Sequence, residues 1–204
     1  ALFGEQFAKP SVEVYEYSTS ILKENKLRKS IDNNDLNATF NYRNNTDIYT
    51  NMSKKEFNNY NVDHVFEIQC LSHASSKLIY KNQTFFNAIQ KDLKDSINVV
   101  ENYNVTSDSI NKSKGSLTKY FLSDEMYNGF PFASLMIGSK CEKHAANICR
   151  GINDCYSCVE TNVSAIRRSD YINGHVNIDN LVDEITLIIE RMKLENSDMP
   201  RTTR

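Results

Sequence analysis

Val62-Asp63-His64-Val65-Phe66-Glu67 opens the stretch that decides how this chain is read, and Asn111-Lys112-Ser113-Lys114-Gly115 closes it, with Asn98-Val99-Val100 between them. Val62 to Phe66 reads as a short strand or the end of one. Ile68, Leu71 and Leu78-Ile79 beyond it suggest a helix. Phe85, Phe86, Ile89, Leu93 and Ile97 recur at helical spacing and predict a second helix over 84–96. Asn98 to Val105 is expected to be the next strand. Ser107 or Asp108 can cap a helix carrying Ile110 and Asn111, which Gly115 should interrupt or end. A carboxylate, an imidazole and a side-chain amide are thus placed at a strand end and a first helical turn, elements that can face each other.

The bulk properties fit one domain of 204 residues. Hydrophobic residues make up 40% and charged residues 25%, ordinary values for a globular chain, and no apolar run is long enough to span a membrane. The net charge of −2 provides no general basic excess for gripping nucleic acid. Any such surface must be local, and 114–119 and 143–168 hold enough Lys and Arg to form one. Cys141, Cys149, Cys155 and Cys158 cluster while Cys70 stands apart. Two disulfides in a secreted protein are the first reading of the cluster; its C-x7-C-x5-C-x2-C spacing lacks the paired knuckles of a structural zinc site, and free buried thiols are the remaining reading. Sequons at Asn37, Asn44, Asn51, Asn82, Asn104, Asn111 and Asn162, with Ala1 rather than Met at the start, lead to the expectation of a secreted chain with its leader removed. A glycan on Asn111 would block the site considered below.

Elsewhere, residues 1–10 read as an arm ending at Pro10, and 18–28 as a helix. The polar stretch from Asn33 to Asn61 reads as loops and short strands, with Phe40, Tyr42, Tyr49, Phe57 and Tyr60 pinning it to the core. Residues 123–140 form a connector with Phe130-Pro131-Phe132 as an apolar plug. Two helices, about 139–150 and 153–168, are expected to break at Gly151, and their cysteines could staple the turn. Ile178, Leu181, Val182, Ile185, Ile188, Ile189 and Met192 give the final helix a continuous apolar face that Asn177 or Asp179 can cap. The tail after Asn196 reads as disordered. With no internal repeat and no linker, 1–204 reads as a single domain containing the motif at 62–115 and a cysteine-containing helical region at 139–196.

Phosphodiester cleavage needs a base for the attacking water and charge stabilisation at the phosphate, which one imidazole and one metal ion can supply. Imidazole titrates near neutrality, and Mg²⁺ or Mn²⁺ takes oxygen ligands of the kind Asp63 and Asn111 offer. Residues 62–115 resemble the ββα-metal, or His-Me finger, motif of the HNH endonucleases. That resemblance implies a mainly helical α+β fold built around a hairpin–helix unit. It makes His64 the general base, Asn98 the residue orienting the loop or the base, and Asp63 and Asn111 the metal ligands. It sets Lys112 and Lys114 near phosphates. Glu67 is a candidate to orient a ligand, and Lys119 with Tyr120 could extend a nucleic-acid track. The phrase Asp63-His-Val-Phe-Glu-Ile-Gln69 is also similar to a segment of secreted fungal proteins near chitinase or killer-toxin-like modules.

These features lead to the expectation of a secreted, metal-dependent endonuclease acting on DNA or RNA as a toxin or effector, with a host target or an inhibitor protein as a possible further partner. The competing expectation is a non-catalytic secreted interaction protein that keeps the nuclease scaffold and binds a host or cell-surface protein. A third is a metal-independent RNase using His64 with Glu67 or another histidine. Each residue also has a plainer reading. His64 can be a structural histidine bonded to backbone, Asn111 to Gly115 a solvated helix end, and Arg167-Arg168 a solvated helix end. His73, His144 and His175 read as surface or structural residues.

Overall fold

The computed structural model describes residues 18–19, 22–80, 83–123, 129–166 and 176–197. Its elements follow in the order β1 (Ser18–Thr19), α1 (Glu24–Leu27), α2 (Asn33–Tyr42), β2 (Tyr60–His64), α3 (Ile68–Ala74), β3 (Ile79–Tyr80), α4 (Gln83–Ile97), β4 (Tyr103–Ser107), α5 (Asp108–Ser123), α6 (Phe132–Leu135), α7 (Ala145–Ile166) and α8 (Ile178–Met192). Short 3-10 turns join several of them. The class is mainly helical α+β, with two antiparallel strand pairs, β1 with β3 and β2 with β4. In the second pair Tyr60 faces Ser107, Val62 faces Val105 and His64 faces Tyr103. One hydrophobic core runs from Leu22 to Leu194.

Helices with strong apolar stripes form where the sequence places them. In α4, Phe86, Ile89, Leu93 and Ile97 are buried, and in α8, Ile178, Leu181, Ile185, Ile188 and Met192. The Asn177 side chain caps α8 by accepting from Asn180 N at 3.1 Å. Burying four or five such side chains contributes roughly 1.5–3 kcal/mol each, and this outweighs the modest propensity of the Asn- and Ile-rich segments.

Other elements depart from the sequence reading for identifiable reasons. Residues 33–42 form a helix, not loops, because Asp32 and Asp35 make a reciprocal capping box. Asp32 Oδ1 accepts from Asp35 N at 2.8 Å and Asp35 Oδ2 accepts from Asp32 N at 3.1 Å. Bonding to the Asp32 amide and to Lys29 holds the Asp35 carboxyl below its ordinary pKa. Of the aromatics expected as anchors, Phe40 and Tyr49 are buried, with Phe40 packed edge-on against Tyr60, whereas Tyr42 and Tyr60 are themselves exposed. Within 18–28, Ser18–Thr19 pair with Ile79–Tyr80 as strand, and only Glu24–Leu27 is helical. The helix expected to run through Leu78-Ile79 ends at Ala74. Ser75 Oγ donates to Ser72 O at 2.7 Å and accepts from Leu22 N at 3.4 Å, tying the turn to the chain's beginning.

Two glycines read as breaks lie within helices. Gly115 sits inside α5, which continues to Ser123. Gly151 sits in the middle of α7, one continuous helix where two were expected. A Cβ on Gly151 would lie 3.1 Å from Ile48 Cδ1 and 3.4 Å from Tyr49 and Val65 carbons. Glycine here permits close approach of α7 to the segment before β2.

The cysteines follow from the same continuous helix. Cys149 and Cys155 occupy core positions on α7 beside Ile148, Ile152 and Val159 and behave as small hydrophobes. All five cysteines stand as free thiols, so the disulfides expected among Cys141, Cys149, Cys155 and Cys158 do not appear. Six residues of helix separate Cys149 from Cys155 by about 9 Å, beyond disulfide reach. Cys141 Sγ turns to Ile110 O at 3.7 Å, Cys155 Sγ accepts from Arg43 at 3.4 Å, and Cys158 Sγ accepts from Asn162 at 3.8 Å. Burial raises the Cys141, Cys155 and Cys158 thiols above their ordinary pKa and pushes Cys149 up to about 12.

Candidate functional site

The alternation of β2 sends Asp63 and His64 to opposite faces of its pairing with β4. His64 points toward the start of the loop before β4. Its Nε2 lies 2.8 Å from Asn98 Oδ1, and its ring meets Tyr103 edge-on with centroids 5.1 Å apart. Asn98 fixes the proton's place. Its Nδ2 donates to Leu27 O and Lys94 O, each at 2.7 Å, so both amide hydrogens are engaged. Oδ1 therefore accepts, and Nε2–H of His64 donates. Burial holds the imidazole pKa below 6.5, and only 6% of the residue is exposed. Sequence reasoning paired His64 with Asn98, and they do meet, though in an arrangement that favours neutral imidazole.

Asp63 points the other way, into a closed polar cluster. Tyr49 Oη donates to its Oδ2 at 2.5 Å. The Lys114 ammonium, reaching in from α5, lies 3.2 Å from Oδ2 and 3.4 Å from Oδ1. The same ammonium donates to Glu67 Oε1 at 2.6 Å and to His64 O at 2.9 Å. Lys114 is 0% exposed and Asp63 2%. Burial raises the Asp63 pKa to about 6, against the pull of Lys114 and with the help of Glu67. Burial alone would lower Lys114, but Asp63 and Glu67 outweigh it and raise the ammonium above its ordinary range. Burial and the neighbouring Asp63 likewise push the Tyr49 phenol well up.

The remaining predicted residues disperse. Asn111, one turn before Lys114 on α5, lines a shallow cleft with Asp32, Leu36, Tyr60 and Val62. Lys112 is exposed and pairs with Asp108 at 2.6 Å along its own helix. Lys119 lines another cleft with Gln69 and His73, and Tyr120 beside it is exposed. Glu67, a candidate to orient a ligand, accepts here from Lys114 Nζ at 2.6 Å. His175 and Arg167-Arg168 lie outside the described residues, as do the N-terminal arm, Asn82 and most of the tail. Among the sequons, Asn104 is fully buried, while Asn37, Asn44 and Asn51 are exposed.

A second buried network braces the cluster from below. Asp47 accepts from Tyr49 N, Asn104 Nδ2, Thr106 Oγ1 and Thr50 Oγ1, all at 2.8 Å. This carboxylate fixes the 44–51 loop, in which Asn44, Asn45 and Asn51 take left-handed backbone that asparagine tolerates. Asn102 does similar work at the end of β2. Its Oδ1 accepts from Phe66 N at 2.8 Å and its Nδ2 donates to Phe66 O at 3.0 Å. Tyr49 was read from the sequence only as an aromatic anchor and Asn104 only as a sequon, and Asp47 and Asn102 were not selected at all, because an isolated Asp or Asn in an Asn-rich chain gives no signal.

A divalent cation does not fit Asp63 here, since the carboxylate oxygens that would hold it already face Lys114 Nζ and Tyr49 Oη. Among the described residues no group of three or more His, Cys, Asp or Glu side chains is arranged to hold a metal ion. No helix of the described residues is long and apolar enough to cross a membrane. None of the protein-family models, curated proteins or solved structures compared with the chain matches it.

Proposed function

We propose that this chain is a non-catalytic, secreted interaction protein on a strand–strand–helix scaffold like that of the nucleases it resembles. The observation that supports this reading is the position of Lys114. Its ammonium lies between Asp63 and Glu67, so a tethered side chain supplies the positive charge that a nuclease of this kind would take from a metal ion. His64 adds to the argument. A general base must reach water and substrate, whereas this imidazole is buried, donates from Nε2 to Asn98 and packs on Tyr103. Lys112, exposed and expected near phosphate, is paired with Asp108, and the net charge of −2 gives nucleic acid little general attraction. The exposed sequon asparagines Asn37, Asn44 and Asn51 fit the secretory route.

The test is cleavage of plasmid DNA and total RNA with Mg²⁺, Mn²⁺ or EDTA, for wild type and His64→Ala, together with calorimetric titration of both metals. No cleavage beyond a protein-free control and no heat of binding are expected. Cleavage that needs metal and is lost in His64→Ala would overturn the reading and restore the endonuclease. Cleavage that survives EDTA and is lost in His64→Ala would restore the metal-independent RNase.

A further inference from the structure

Lys114, Asp63 and Glu67 are placed for a reaction as well as for an ion pair. We propose that Lys114 Nζ and the Asp63 side-chain carboxyl condense into an intramolecular amide, with Glu67 carrying the proton, so that the mature chain holds a covalent cross-link between β2 and α5. This inference goes beyond the interaction reading and stands without it.

The geometry supplies each part. The nucleophile lies 3.2 and 3.4 Å from the two carboxyl oxygens and so faces the carboxyl group almost symmetrically. The two groups are held at ion-pair distance in a fixed, buried setting, and groups fixed beside one another in this way react at effective concentrations that can reach about 10⁵–10⁸ M. Glu67 Oε1, 2.6 Å from Nζ, is placed to take an ammonium proton and return it to the departing oxygen. Tyr49 Oη, 2.5 Å from Asp63 Oδ2, donates to the oxygen on which negative charge grows as the tetrahedral intermediate forms. With Lys114 0% and Asp63 2% exposed, water is kept from the new bond. Burial favours the neutral acid at Asp63, whereas Asp63 and Glu67 hold Lys114 as ammonium, so removal of its proton by Glu67 is the step that frees the nucleophile.

The step balances. Ammonium and carboxylate first exchange one proton through Glu67, giving a neutral amine and a neutral acid. The amine lone pair attacks the Asp63 side-chain carbonyl carbon, a C–N bond forms, and one C–O bond breaks. Glu67, a carboxylate again after that exchange, takes a proton from the attacking nitrogen and passes it to the departing oxygen, which leaves as water and returns Glu67 to its starting state. Neither oxidant nor cofactor enters.

Denaturing intact-mass measurement on the full chain made in bacteria, free of N-glycans, tests this directly. Wild type is expected to weigh less than its sequence by one water. Proteolysis should yield a branched peptide joining the segments around Asp63 and Lys114, with no cleavage after Lys114. Lys114→Met and Asp63→Ala should show their full sequence masses, and Glu67→Gln should be largely unlinked. Asp63→Asn should lose ammonia and arrive at the wild-type product mass. Wild type at full sequence mass, or a water loss that maps to other residues, overturns the proposal whether or not any variant folds. Complete linkage in Glu67→Gln overturns the proton route through Glu67. The readout is a mass and not an activity, so its failure cannot be confused with failure of the interaction reading.

Discussion

Replacing Lys114 by Met keeps most of the side-chain volume and removes only the ammonium. Four contacts vanish: Glu67 Oε1 at 2.6 Å, His64 O at 2.9 Å, and the two Asp63 oxygens at 3.2 and 3.4 Å. What remains is two buried carboxyl groups with no cation between them. Removing one partner of such a cluster costs about 3–5 kcal/mol, because the stranded charge has lost its compensation. A domain of this kind holds only about 5–15 kcal/mol in total. With a urea dependence near 2 kcal/mol per molar, the unfolding midpoint should fall by roughly 1.5–2.5 M. The deficit should also depend on pH, with a sign that follows from the carboxyls. A carboxyl whose folded pKa is raised binds a proton more readily folded than unfolded, so it adds stability as pH falls. Asp63 already stands near 6 with Lys114 present, and removing the cation moves it higher. The variant's deficit should therefore be greatest at about pH 8 and shrink toward about pH 5. Urea titrations of both proteins across that range are the assay. A midpoint shift under about 0.5 M, or a deficit that does not change with pH, would refute the account of Lys114 as the compensating charge. These magnitudes refer to the ion-paired wild type; in the amide-linked chain neither the ammonium nor the Asp63 carboxyl remains, and Lys114→Met then loses the cross-link, with a larger deficit that does not follow the Asp63 titration.

His64 should oppose stability in acid. Burial keeps its folded pKa below 6.5, so the unfolded chain binds the proton first and stability falls as pH drops below 6.5, by up to about 1.4 kcal/mol per pH unit. His64→Gln should lose that slope, and because Asp63 works in the opposite sense, the informative quantity is the difference between the two proteins at about pH 7.5 and 5.5; identical slopes would show that His64 is not held neutral. Gly151→Ala should be close to neutral, because the helix gains about 1 kcal/mol while the 3.1 Å contact falls on the flexible end of Ile48. Gly151→Val, pressing on Tyr49 and Val65 as well, should cost about 1–3 kcal/mol in the same denaturation assay; a Val variant as stable as wild type would mean that α7 does not need that close approach.

Periodic features were legible and contact-dependent ones were not. The stripes of α4 and α8 could be read because burial repeats at helical spacing in one continuous run. The strand at 60–64 and the helix starting at Asp108 were placed within a residue or two. α2 was missed although Asp32-x-x-Asp35 with Leu36, Thr39 and Phe40 holds both its cap and its stripe; the surrounding Asn masked the signal. Gly151 was read by its conformational freedom when its small size was what mattered, and no local pattern separates the two. At the site, the pairing of His64 with Asn98 was visible in the order of residues. The burial of Lys114 was not, since a lysine in Asn-Lys-Ser-Lys-Gly looks like any solvated helix residue until the opposing carboxylates are in place.

The β2–β4 ladder has a consequence for how the chain reaches this state. Its two strands are not a hairpin, because α3 and α4 are interposed between His64 and Tyr103. Zippering from a tight turn is therefore closed to it, and the intervening helices must collapse before the strands can find their register, which raises the contact order and slows folding. During synthesis β2 leaves the ribosome long before its partner, and Asp63 waits exposed until α5 arrives with Lys114. The cluster that marks this molecule thus cannot close until α5 has been made and the helices between the two strands have folded.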